Sequence, residues 1–89
     1  MAIDTITSVD PRTINDAILA TYAKSLRGLS RLTLRNTPAV TDDGISALAN
    51  LQQLTHLDLI DLQITGEAMP TVASLPSLVS LDLRMCNGL

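Results

Sequence analysis

His56, Cys86 and the adjacent pair Asp42 and Asp43 are the residues of this chain whose types could carry chemistry. A histidine can act as a general base when a nucleophile and an orienting carboxylate stand within hydrogen-bond reach, in a site that excludes water. A thiolate could attack a substrate, and paired carboxylates could hold a divalent cation. Each residue has a plainer explanation in its surroundings. Asp58 follows His56 by two residues, too far along an extended strand for a hydrogen bond, and no Ser or Cys stands beside it. A lone Cys forms no internal disulfide, and one Cys with one His cannot complete a tetrahedral metal site. Asp42 and Asp43 follow Thr41 directly, the order of an N-cap and a first helical turn where the helix dipole favours negative charge. These residues point away from catalysis, metals, cofactors and small-molecule substrates.

The elements that must position them are set by a repeat. Leu26, Leu29, Leu32 and Leu34 recur as Leu51, Leu54, Leu57 and Leu59, and again as Leu75, Leu78, Leu81 and Leu83, at offsets of 25 and then 24 residues. The intervening stretches align as well: Val40-Thr-Asp-Asp-Gly-Ile45 matches Ile64-Thr-Gly-Glu-Ala-Met69. Ile14-Asn-Asp-Ala-Ile-Leu19 fits the same frame with one extra residue before Leu26, and Val9 lies 25 residues before Leu34, so the N-terminal stretch reads as a worn repeat.

Within a unit, the L-x-x-L-x-L run places alternate side chains on one face of a short strand, and the Thr-led run that follows has helical spacing. The spacing predicts helices over 42–50 and 66–74. Pro70 lacks the N–H that a fifth helical residue would donate, so the second of these is expected to begin late or as a 3₁₀ turn. Asp10-Pro11 reads as N-cap and first residue of a longer helix reaching about Ser25. The chain therefore divides into a degenerate half-repeat over 1–28 and repeats over 29–89 within a single domain. It stops at Asn87-Gly88-Leu89, in a turn where each earlier unit runs on into a helix, so further repeats of the same parent chain are expected.

Over almost the whole chain, from about Val9 to Leu89, this pattern resembles the leucine-rich repeats. The stretch Leu78-Val-Ser-Leu81-Asp-Leu83-Arg-Met-Cys86 meets the L-x-x-L-x-L-x-x-[N/C] consensus, while Leu62 and Thr37 replace Asn or Cys in the other units. Val40-Thr-Asp-Asp-Gly-Ile45 is similar to the cysteine-containing subclass, known from F-box substrate receptors and bacterial leucine-rich proteins. The resemblance implies an α/β fold, a right-handed solenoid with short parallel strands on a concave face and short helices on a convex one. It also implies a protein-interaction module whose concave sheet presents Arg31, Thr33, Arg35, His56, Asp58, Ile60, Ser80, Asp82 and Arg84 to a protein partner. The alternative is a recognition or spacer segment of a larger enzyme, such as a ubiquitin-ligase substrate receptor or a secreted bacterial effector. Cys86 then occupies a buried ladder position, and Ile60 is expected to be an exposed apolar anchor framed by charge. Asp58 and Asp82 become neighbours, either screened by nearby arginines and water or forming a small charged recognition patch.

Composition agrees with a binding scaffold. At 46% hydrophobic and 1% aromatic the core must be aliphatic, and a net charge of −3 offers no basic field for nucleic acid. No apolar run reaches the length of a membrane span, and the N-terminus lacks the basic start of a signal peptide. A cytoplasmic location is expected, with a secreted effector acting inside a host cell as the alternative. The expected core comprises Leu32, Leu34, Leu57, Leu59, Leu81, Leu83, Val40, Ile45, Leu48, Ile64, Met69, Val72, Ala49 and Ala73, with Gln52, Gln53 and Gln63 outside.

Overall fold

The computed structural model describes residues 5–6 and 12–88. Among these residues four short strands lie side by side, all parallel and in chain order. They are β1 (Thr5–Ile6), β2 (Arg31–Arg35), β3 (His56–Ile60) and β4 (Ser80–Asp82). Parallel neighbours cannot be joined by a tight hairpin, and the crossovers here are helical. The first is α1 (Asp16–Ser25), and the second is α2 (Asp42–Ser46) prolonged by a 3₁₀ turn, Ala47–Asn50. The third begins as a 3₁₀ turn, Gly66–Ala68, and becomes α3 (Met69–Ala73). Pro70 sits at the start of α3, where its missing N–H breaks no helical bond, and this explains the late α-helical start.

The repeat frame is also the pairing frame. Leu32, Leu57 and Leu81 stand in register across three strands, and Leu34 stands beside Leu59. Their alternation, with Leu57 and Leu59 fully buried, turns one face of the sheet toward Leu19 and Ala23 of α1, Ile45 of α2, Leu48, Ala68 and Val72. Gln52, Gln53 and Gln63 are exposed. Three hydroxyl or amide caps start the helical segments alike: Asn15 accepts from the Ile18 N–H, Thr41 from Asp43 and Thr65 from Glu67.

Several expected positions differ. The N-terminal helix begins at Asp16 with Asn15 as its cap, five residues inside the expected start, because the Asn15 carboxamide takes the Ile18 N–H at 2.9 Å. Val9, Asp10 and Pro11 lie outside the described residues. Ala49 and Ala73 are exposed. The buried set in the second unit is Ile45, Leu48 and Leu51, a spacing of three that follows the 3₁₀ winding and carries Ala49 outward. Ala73 follows Val72, which takes the inward position of α3. Met69 and Leu83 are half-buried, and Leu81 is 42% exposed where Leu57, its counterpart one unit earlier, is at 0%. Leu57 has a strand on both sides and Leu81 on one only, so the frame position sets direction and the neighbours set burial.

A residue in the left-handed region follows β2 and β3 directly, Asn36 (φ 49) and Asp61 (φ 56), and Met85 (φ 62) takes the same place in the repeat three residues after the end of β4. Asn and Asp adopt that conformation more readily than other non-glycine residues, whereas Met carries its steric cost. The three segments that follow leave the sheet along the same edge.

Candidate functional site

The sheet face turned away from the helices carries the expected columns. Across the strands, Arg31, His56 and Ser80 form one row, Thr33, Asp58 and Asp82 a second, and Arg35 with Ile60 a third. The Asp61 N–H donates to the Arg84 carbonyl at 2.9 Å, which brings Arg84 to the far side of that third row. Asp58 and Asp82 are immediate neighbours, an arrangement that is unfavourable unless each charge finds a partner. Both do. The Thr33 hydroxyl donates to Asp58 Oδ2 at 3.2 Å, and Arg84 Nε donates to Asp82 at 2.8 Å while the Arg84 backbone N–H reaches Asp82 Oδ1 at 3.0 Å. Arg84 is exposed, so this ion pair orients the two side chains and contributes at most about 1 kcal/mol. Arg31 and Arg35 are exposed and make no ion pair among the described residues.

Ile60 is a correction: it is 8% exposed and stands outside the main apolar cluster. It is flanked in the third row by the long side chains of Arg35 and Arg84, whose aliphatic stems can cover it. The face therefore offers charge and hydroxyls rather than an exposed apolar anchor.

His56 is half-buried, with Nδ1 at 2.8 Å from the Thr55 hydroxyl, which itself donates to the Ser30 carbonyl at 2.9 Å. The Ser30 carbonyl also accepts the Thr55 and His56 N–H groups at 2.8 and 3.0 Å, so the ring is tied to the neighbouring strand through Thr55. No hydrogen bond links His56 with Asp58. Cys86, 7% exposed, donates from Sγ to the Leu59 carbonyl at 3.1 Å, tying the turn after β4 to the preceding strand. The equivalent positions, Leu62 and Thr37, are equally buried. Thr37 Oγ1 is buried with no hydrogen-bond partner, which costs of the order of 1–3 kcal/mol. Thr37→Val keeps the shape and removes the stranded hydroxyl, so it is expected to stabilise the fold by about 1 kcal/mol in urea denaturation; a loss of stability would show that the hydroxyl serves the fold.

No family model and no solved structure matches the chain. Among curated proteins it is 34% identical over 80 residues to EEED8.10 of Caenorhabditis elegans, whose name proposes it as an RNA-binding protein. It is also 39% identical over 61 residues to the disease resistance protein RPS6 of Arabidopsis thaliana. The alignments cover 85% and 68% of this chain, but the chain spans only 11% and 5% of the lengths of those relatives.

Among the described residues no group of three or more His, Cys, Asp or Glu could hold a metal ion, and none of the helices is long and apolar enough to cross a membrane. Asp42 has a different task from metal binding. Its Oδ1 accepts the Thr65 N–H at 2.7 Å and its Oδ2 the Thr65 hydroxyl at 2.6 Å. Asp16 does the same for Thr41, at 2.7 and 2.6 Å. The first acid of each helix thus holds the cap of the next unit, and the ladder ends where Gly66 replaces the acid. Sequence reasoning missed Asp16. Its signal was the alignment of Asn15-Asp16 with Thr41-Asp42, at an offset of 26 that absorbs the extra residue before Leu26.

Proposed function

We propose that this chain is a leucine-rich-repeat segment that binds a protein partner through the sheet face carrying Arg31, Thr33, Arg35, His56, Asp58, Ser80, Asp82 and Arg84. The observation that carries the reading is the mixed, partly unpaired charge of that face on a sheet built from one repeated unit. Opposed charges in fixed rows orient a partner, and arginine is enriched among residues that dominate protein interfaces. The register of the leucines and the ordered parallel strands support the solenoid reading, with the sheet as its concave side. Distant likeness to a disease resistance protein agrees with a recognition role. Likeness to a protein named for RNA binding raises nucleic acid as a partner, but a net charge of −3 and the two acids central to the face favour protein. The second reading, a recognition or spacer segment of a larger enzyme, fits the same surface.

The test is site-specific photo-crosslinking in the organism that makes the protein. A photoreactive residue at Thr33 or Ser80 is expected to capture a protein, and one at exposed Ala73 on the helical side is not. Asp58→Lys combined with Arg84→Glu is expected to lower the capture at least tenfold, while Gln52→Lys leaves it unchanged. Capture from Ala73 alone, or of RNA in place of protein, would overturn the reading.

A further inference from the structure

The parallel strands end along one edge, and beyond that edge the segments at Asn36, Asp61 and Met85 border a solvent-open cavity of about 290 Å³. Ligand sites favour the carboxyl ends of parallel strands, because successive loops diverge there and leave a crevice. The cavity is small beside a drug-sized pocket, and its volume suits one long side chain. Its polar lining is Asn36, Asp61, Gln63 and Asn87: three carboxamides and one carboxylate, with no Lys, Arg or His among the residues around it. None of these four side chains makes a hydrogen bond to another described residue, so their acceptor oxygens are unspent. Buried Leu62, with exposed Pro38 and largely exposed Met85, supplies the apolar part of the lining.

One wall is fixed by backbone packing. Gly88 bridges Thr65 in parallel, and a Cβ on it would overlap the Ile64 carbonyl oxygen. Only glycine allows that approach, so the 85–88 segment closes the cavity on a defined line. Cys86, bonded to the Leu59 carbonyl, holds the same segment from inside.

We infer that this cavity receives an arginine side chain of the protein partner. The inference rests on the protein-binding reading above and names one element of what is bound. A guanidinium presents five donors in a plane, matching a carboxylate with amide oxygens around it, and its aliphatic stem matches Leu62 and Met85. A carboxylate or phosphate would meet Asp61 with no cation to offset it.

The probe is N-acetyl-arginine amide, titrated into the ¹⁵N-labelled chain and followed by amide chemical shifts. Saturable shifts confined to 36, 61–63 and 85–88 are expected, with a Kd of about 1 mM, as befits one side chain detached from its partner. N-acetyl-citrulline amide, equal in shape but uncharged, is expected to bind at least tenfold more weakly, as is the arginine probe to Asp61→Asn. Asn tolerates the left-handed conformation, so that variant keeps the turn. Equal binding of the citrulline probe, or non-saturating shifts spread over Asp43, Asp58, Glu67 and Asp82, would overturn the assignment. Either result would leave the crosslinking test of the sheet face standing, whereas failed crosslinking with a saturable arginine site would remove only the sheet-face reading.

Discussion

Leu57→Ala is expected to lose about 2–5 kcal/mol of unfolding free energy, because Leu57 is fully buried at the centre of the leucine row and its truncation leaves a void between the sheet and the helices. Domains are stable by only about 5–15 kcal/mol, so much of the population should be unfolded in mild urea. Leu81→Ala is the built-in comparison: the same residue type in the same frame position, yet 42% exposed. Its cost is expected to be smaller, on the order of 1 kcal/mol, since a large part of its apolar area stays in water. Circular dichroism during urea titration reads both. Equal losses would mean that β4 is as enclosed as β3, contrary to the row described above.

Gly44→Ala is expected to be the next most damaging change. A Cβ at position 44 would overlap Asp16 Oδ1 and lie 3.2 Å from the Asp16 Cα, so α1 and the turn at 41–44 must part for it to fit. Parting them breaks the two bonds by which Asp16 holds Thr41. Overpacking of this kind costs about 1–3 kcal/mol, although alanine is otherwise the better helix former. The diagnostic is coupling: in an Asp16→Ala background, where the carboxylate is gone, the penalty should shrink by at least about 0.5 kcal/mol. Strict additivity in thermal or urea melts would show that Gly44 is needed for some reason other than Asp16.

Much of this architecture could be read from spacing. Leucines at 32, 34, 57 and 59 alternate as a pleat demands, and their recurrence locates the strands and their register; the Thr-led runs locate the helical segments at 42–50 and 66–73. What spacing could not supply was everything decided by neighbours. Leu81 follows the rule of its row, but its burial depends on a strand that does not lie beside it. Ala49 was misplaced because 3₁₀ winding advances the inward face by three residues instead of 3.6. Ile60 was misplaced because periodicity assigns a face without registering the long side chains on either side. For the candidate site, the rows of outward residues followed from the resemblance to leucine-rich repeats, which set Asp58 beside Asp82 as the pairing has it. The pairing of Arg84 with Asp82, rather than with both acids, depends on a rotamer no pattern encodes. The cavity at the strand ends was invisible for the same reason: it arises from three loops related only by the stacking of units.

The serial order of the sheet, each strand bonded only to the units immediately before and after it, governs how the molecule responds to tension. Load applied through the two ends of the chain falls on one outer strand at a time, across its row of hydrogen bonds, so those bonds part in sequence instead of resisting together. With β1 and β4 only two and three residues long, each peeling event breaks few bonds. Under pull the described strands are therefore expected to separate one at a time, in extension steps of a single unit of 24 or 25 residues, and a single-molecule stretching trace with one all-or-none step would contradict that expectation.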